Sequence, residues 1–261
     1  MEWGYTLSGL IVGFIVGVTG VGGGSLMTPL LILMFGISPA TAVGTDLLYA
    51  ALTKTGGAWV HGRRGTVHWR LVGLLAMGSL PAALITVLAL NAMDTDDKAF
   101  SGLITSMLGV ALILTALSLL FRKRLSRMGR SHFWFLVEWR DRRIVSITIA
   151  TGVVLGVLVT ITSVGAGALG MVMLLVLYPR VPSVTLVGSD IAHAVPLTLI
   201  AGMGHAYMGT VDFGLLGSLL IGSLPGIYMG SHVGGRIPDR ILRPILSTIL
   251  IIVGAKLLMP S

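Results

Sequence analysis

Two apolar stretches in this chain, at 5–36 and 144–179, are too long for a single membrane helix, and glycine interrupts both. The first contains Gly20-Val21-Gly22-Gly23-Gly24 and the second Val164-Gly165-Ala166-Gly167. Glycine runs break helices because glycine gains the most backbone freedom on unwinding. Each stretch therefore predicts two short helices joined at a glycine-rich break. Six more apolar stretches follow, at 39–60, 69–92, 99–121, 183–207, 211–231 and 241–259. Each suits one crossing of a hydrocarbon core, which takes about 20 residues. Only 11% of the residues are charged, whereas soluble domains are about one quarter charged. The pattern predicts an all-α, multi-pass integral membrane protein, with the lipid bilayer as its solvent.

The chain has no cysteine, which excludes disulfides and thiolate metal sites, and no cofactor is expected. Its net charge of +8 reads as membrane orientation rather than nucleic-acid binding, because Lys and Arg gather in cytoplasmic loops. The opening Met1-Glu2-Trp3-Gly4 lacks the basic region of a cleaved signal peptide. The first apolar stretch is therefore expected in the mature protein.

An internal repeat organises the chain. Shifted by 144 residues, 41–81 lies on 185–225 without a gap, and 16 of 41 positions are identical. Val43-Gly44-Thr45-Asp46 meets Val187-Gly188-Ser189-Asp190, His61 meets His205, and Gly65-Thr66-Val67 meets Gly209-Thr210-Val211. Gly78-Ser79-Leu80-Pro81 meets Gly222-Ser223-Leu224-Pro225, and Val21-Gly22-Gly23-Gly24 lies on Val164-Gly165-Ala166-Gly167. Three regions result: a first membrane repeat at 1–121, a basic linker at 122–143 on the cytoplasmic surface, and a second membrane repeat at 144–261.

Equivalent loops carry opposite charge bias. Loop 61–70 has Arg63, Arg64 and Arg70, while 205–214 has only Asp212. Loop 92–98 has three aspartates and Lys98, while 232–243 has Arg236, Arg240 and Arg243. Opposite bias is expected of inverted repeats. The expected fold is two inverted repeats of about five helical segments each. Glycine-broken short helix pairs, acting as re-entrant hairpins, start each half.

The breaks are the first candidate site. Helices starting after Gly24 and Gly167 would aim free N–H groups and a positive dipole end at the membrane middle, where they attract anions. Gly22, Gly23, Gly24, Ser25, Gly165 and Gly167 are the substrate-binding candidates there; close helix packing through glycine is the plainer account. Thr45 and Ser189 add hydroxyls. Lys54, whose repeat partner is Thr198, either faces the anion path or snorkels to the inner surface. Asp46 and Asp190 are carboxylates about seven residues into apolar helices. Such groups face a cavity or a partner and serve here either as proton carriers or as structural hydrogen-bond acceptors. His193, three residues past Asp190, shares its helix face as a relay or as a satisfied buried histidine. These three are the coupling candidates, with protons as the coupling ion. His61 and His205, at segment ends, are expected at the interface, and the Gly-Ser-Leu-Pro pair predicts matching kinks.

At Gly17-Val18-Thr19-Gly20-Val21-Gly22-Gly23-Gly24, Val43-Gly44-Thr45-Asp46, Lys54-Thr55-Gly56-Gly57 and Gly65-Thr66-Val67 the chain resembles the sulfite exporter TauE/SafE family, from about residue 8 to 257. The resemblance implies a carrier in the cell (cytoplasmic) membrane for small anions, often sulfite, sulfonates or related sulfur-containing acids, usually outward. The second half departs from the pattern at Val164-Gly165-Ala166-Gly167-Ala168. Two other readings compete. An intramembrane aspartyl protease would use the two aspartates on water, but its Gly-x-Gly-Asp pattern is absent. A passive anion channel fits the same residues. No hydrolase or phosphate-loop signature is present. The reading is a non-enzymatic secondary transporter, with a homo-oligomer left open.

Overall fold

A computed structural model describes residues 3–19, 24–93, 98–129, 134–233 and 239–259. They form ten α-helices: α1 (Trp3–Thr19), α2 (Gly24–Phe35), α3 (Pro39–Arg63), α4 (Trp69–Asn91), α5 (Lys98–Gly129), α6 (Trp134–Thr162), α7 (Ala168–Leu177), α8 (Ser183–Tyr207), α9 (Phe213–Val233) and α10 (Asp239–Leu258). Among the described residues, five segments are long and apolar enough to cross a membrane: Trp69–Asn91, Ala99–Arg122, Arg143–Thr162, Ser183–Tyr207 and Phe213–Gly230. Much of the expected linker 122–143 is helical, extending α5 and α6.

The second glycine-rich stretch is broken as expected between α6 and α7; in the first, α1 ends at Thr19 and α2 begins at Gly24, and the residues between lie outside the described ones. The 12 residues of α2 and 10 of α7 give roughly 18 and 15 Å at 1.5 Å per residue. By contrast α6 has 29 residues, and its apolar part Arg143–Thr162 is itself long enough to cross. The physical reason is that its apolar run is unbroken until the Ser163–Gly167 turn.

The helices pack in a pattern that repeats between halves. Helix α1 lies along α9, and its counterpart α6 lies along α4. Glycine sets both contacts: Gly9 and Gly13 touch the Leu219 and Ser223 carbonyls, and Gly152 and Gly156 touch those of Leu75 and Ser79. A Cβ at any of these would strike backbone, so small residues fix the helix spacing. Gly78 and Gly222 do the same from the other side of each pair, against Ile149 and Thr6. The Gly-Ser-Leu-Pro repeats thus serve helix packing, and α4 and α9 run on through Pro81 and Pro225.

The α3 and α8 helices cross between the halves. Gly44, near the start of α3, abuts the Thr210 carbonyl just after α8, and Gly188 abuts that of Thr66 just after α3. The two equivalent helices therefore run antiparallel. So do α5 and α10, where Gly109 meets Leu258 and Gly254 meets Leu112 and Ile113. A core of Val43, Leu47, Ala83, Phe100, Ile104, Val159, Leu197 and Ala201 ties both halves together.

Candidate functional site

The Val-Gly-Thr/Ser-Asp motif does three jobs on successive residues. The glycine lets the neighbouring loop approach. The hydroxyl residue then holds the same loop two residues further on. Thr45 Oγ1 accepts from Asp212 N at 3.1 Å, and Ser189 Oγ accepts from His68 N at 2.8 Å. Asp212 and His68 in turn accept from Leu215 N and Leu71 N at the starts of α9 and α4. The expected substrate-binding hydroxyls of Thr45 and Ser189 are thus engaged by loop backbone. The third residue, the aspartate, points into the interior.

The same lock explains the repeated histidines. Each is bridged to the threonine of Gly-Thr-Val: His61 Nδ1 to Thr66 Oγ1 at 2.8 Å and His205 Nδ1 to Thr210 Oγ1 at 2.9 Å. Of the two expected at the interface, His205 is fully buried, and its Nε2 also reaches the Thr160 carbonyl at 3.0 Å. His61 is half-buried.

The second break occupies Ser163–Gly167. Gly165 and Gly167 have φ of 122° and 129°, values open to glycine. Gly167 caps α7 without a side-chain hydrogen bond. The Gly165 carbonyl accepts from Gly170 N at 3.0 Å. Lys54 reaches this break: its Nζ donates to the Ala166 carbonyl at 2.8 Å. The Lys54 side chain thus points from the first half to the break of the second. Thr198, its counterpart, is buried and bonded within its own helix to Ala194. In the first break, Gly22 and Gly23 lie outside the described residues. Gly24 and Ser25 begin α2.

The two aspartates have different surroundings. Asp46 is fully buried, its Oδ2 receives the Thr28 hydroxyl, and the Ser163 hydroxyl faces it. Asp190 is 3% exposed, and its Oδ1 presses on Gly170 with no hydrogen-bond partner among the described residues. Lys54 is the charged neighbour that acts on both. On α3 it follows Asp46 by eight residues, or roughly 12 Å of rise. His193 pairs across to α4, with Nε2 2.7 Å from Ser79 Oγ, rather than with Asp190.

The break, the cation and the two carboxylates thus meet between halves. The family described as Sulfite exporter TauE/SafE matches residues 5–257. The chain belongs to this family. It is 41% identical over 97% of its length, and 98% of the relative's, to a probable membrane transporter protein of Bacillus subtilis, YjnA. A second B. subtilis relative, the probable membrane transporter protein YdhB, is 29% identical over 95% of this chain and 96% of its own. A probable membrane transporter protein of Xylella fastidiosa is 25% identical over 88% of this chain and 84% of its own. No solved structure matches the chain. The protein is a TauE/SafE membrane transporter, multi-pass and not an enzyme.

Residue-by-residue reading of the sequence did not find Thr28, Ser163, Ala166, Ser79 or Gly170. Ala166 and Ser79 lie inside motifs that the repeat marks, and Ser163 also left a signal. It stands where the first half has Gly20, at the edge of a break that sequence had already marked.

Proposed function

We propose that this TauE/SafE transporter is a secondary exporter of small sulfur-containing anions such as sulfite and organosulfonates. The two halves span the membrane in inverted orientation, and α2 and α7 are the short arms of re-entrant hairpins. The observation that carries the substrate class is Lys54, a half-buried cation whose Nζ sits on the break ahead of α7. An anion entering there would meet an ammonium group and the uncapped N–H groups of Ala168 and Leu169 together. Both favour negative charge where water is scarce. The antiparallel crossing of α3 and α8 and the opposite loop charges support inversion. Gly22, Gly23, Gly24 and Ser25 supply the equivalent surface in the first half. Asp190 is the proton site: it is buried, has an oxygen without a partner and lies under the influence of Lys54. Its protonation removes a charge that would repel an anion.

The test is flux in proteoliposomes, with sulfite, sulfate, thiosulfate and short organosulfonates, with and without a pH gradient. The wild type should move sulfite or a sulfonate, faster with the gradient. Lys54→Gln should lose roughly ten- to a hundredfold in flux, the scale of a charged hydrogen bond. Asp190→Asn should keep anion binding and lose the gradient's effect. Unchanged flux in a well-inserted Lys54→Gln protein would sink the substrate site.

A further inference from the structure

We propose that the pocket between the starts of α4 and α6 binds the phosphate end of an anionic phospholipid from the cytoplasmic leaflet. The site does not depend on which anion the protein transports.

The two helices run parallel, since Gly152 meets Leu75 and Gly156 meets Ser79. Both therefore start on the same face of the molecule. Between them lies a pocket of about 180 Å³, room for a phosphate and its glycerol where a water takes roughly 30 Å³. Its lining is of two kinds. His68 and Arg70, both exposed, stand at the start of α4. Leu74, one turn deeper, joins Ile144 and Val145 of α6 in an aliphatic wall. Such a lining calls for an amphipathic ligand. A small free anion would lose water against the aliphatic wall and gain nothing from it, whereas a phospholipid sets its phosphate on the cation and its chain on the wall.

The polar end is built to donate. Arginine presents a planar fork that matches phosphate oxygens. His68 Nδ1 accepts from Leu71 N at 3.3 Å, which puts the proton of the neutral ring on Nε2 as a donor. Tyr178 forms a fixed side of the pocket. Its hydroxyl donates to Thr148 Oγ1 at 2.6 Å, and Thr148 donates in turn to the Ile144 carbonyl at 2.7 Å.

Depth and sidedness agree with a headgroup. Trp59 and Trp69 are 59% and 64% exposed, and exposed tryptophans settle at the level of the headgroups. Arg63 lies over the Trp59 ring at 4.1 Å, so Arg70 is the arginine of this region that serves the pocket. The second half has Asp212, Phe213 and Gly214 where the first has His68, Trp69 and Arg70. An acidic residue with no cation would repel a phosphate, so the site exists once. Arg143 and Arg180 flank the lining residues Ile144 and Tyr178 in sequence. Basic loops mark the cytoplasmic side, where anionic lipids attract basic pockets between helices. His68 and Arg70 belong to the first half, and α6 and Tyr178 to the second. The lipid thus braces the halves beside the clasp, where Ser189 Oγ accepts from His68 N at 2.8 Å.

The test is thermal unfolding of the full chain in an uncharged detergent at low ionic strength. The probes are phosphatidylglycerol, phosphatidylcholine and soluble glycerol 3-phosphate. Phosphatidylglycerol should raise the unfolding temperature saturably, because a ligand of the folded state stabilises it. Phosphatidylcholine should do less, and glycerol 3-phosphate nothing. Arg70→Gln should raise the phosphatidylglycerol concentration for half effect about fivefold, the worth of one basic side chain at an anionic surface. Arg64→Gln, an exposed arginine of the same loop outside the pocket, should leave that concentration near the wild-type value. Equal shifts with the two lipids would overturn the proposal, as would an unchanged response in Arg70→Gln. A matching shift with glycerol 3-phosphate would make this a free-anion site, and equal losses in the two variants would reduce it to diffuse surface attraction; either result rejects the lipid site. Melting needs no transported anion, so failure of the substrate reading would leave this result intact.

Discussion

The two halves match closely where α3 and α8 clasp each other's loops and diverge where their aspartates point inward. At the clasp, Gly44 and Gly188, Thr45 and Ser189, and Thr66 and Thr210 make the same contacts in both halves. Inside, Asp46 has Thr28 and Ser163 while Asp190 has Gly170, and Lys54 stands where the second half has Thr198. Tyr49 and His193 are likewise equivalent, and each faces a serine of the other half's fourth helix, Ser223 or Ser79. The short helices also differ in cover. Helix α7 packs along α5, whereas α2 touches α10 only briefly. An apolar groove of about 250 Å³ remains there, lined by residues that include Ile11, Pro29, Leu30, Met34 and Val253. The contrast teaches that the repeat supplies a shared frame and that chemistry is written in the departures from it. A duplicated clasp keeps its two copies because each fixes a loop. A single cation and two unlike carboxylates give the interior a direction, which a perfectly repeated site would lack.

The largest effect expected from this comparison is all-or-none. Trp69 and Phe213 begin α4 and α9 and are 64% and 66% exposed. Inverted halves put them on opposite membrane faces. With no native cysteine, Trp69→Cys and Phe213→Cys can each be challenged with an impermeant thiol reagent in intact and permeabilised cells. One should label from outside and the other only after permeabilisation. Labelling of both from the same side breaks the inverted frame.

A smaller effect probes the clasp. A Cβ at Gly44 would strike the Thr210 carbonyl, and one at Gly188 that of Thr66. Overpacking against backbone costs about 1–3 kcal/mol. Gly44→Ala and Gly188→Ala should therefore lower the unfolding midpoint in detergent by similar amounts. A large drop in one and none in the other would show that the frame is not shared.

Much of this frame was legible in the sequence. The breaks, the repeat and the inward aspartates follow from glycine runs, spacing and the cost of charge in lipid. What the motif residues do was less legible, because a hydroxyl beside an aspartate reads the same whether it faces a substrate or a loop. Thr45 and Ser189 were expected in the binding surface, yet they hold Asp212 and His68, residues 167 and 121 positions away. The length of α6 was less legible, because its apolar run continues unbroken to the Ser163–Gly167 turn and the preceding polar residues extend the same helix. The partners of the buried groups were invisible for the same reason of distance. Lys54 finds a backbone carbonyl 112 residues on and His193 a serine 114 residues back. No local periodicity encodes such pairs.

The smallest effect sharpens that point. Thr45→Val and Ser189→Ala each remove one hydroxyl that accepts a loop N–H and leave the neighbouring aspartate in place. Each should destabilise by about 1 kcal/mol, the net worth of an ordinary hydrogen bond. The loss should be similar in the two halves, because Asp212 N and His68 N are held in the same way. Transport should respond unlike the Lys54 variant. The half-saturating anion concentration should stay near the wild-type value, because neither hydroxyl meets the anion. Any fall in maximal rate should track the fall in folded protein. A selective rise in the half-saturating concentration for Thr45→Val or Ser189→Ala, at unchanged melting, would return these hydroxyls to the substrate path. It would also move part of the chemistry back into the symmetric frame.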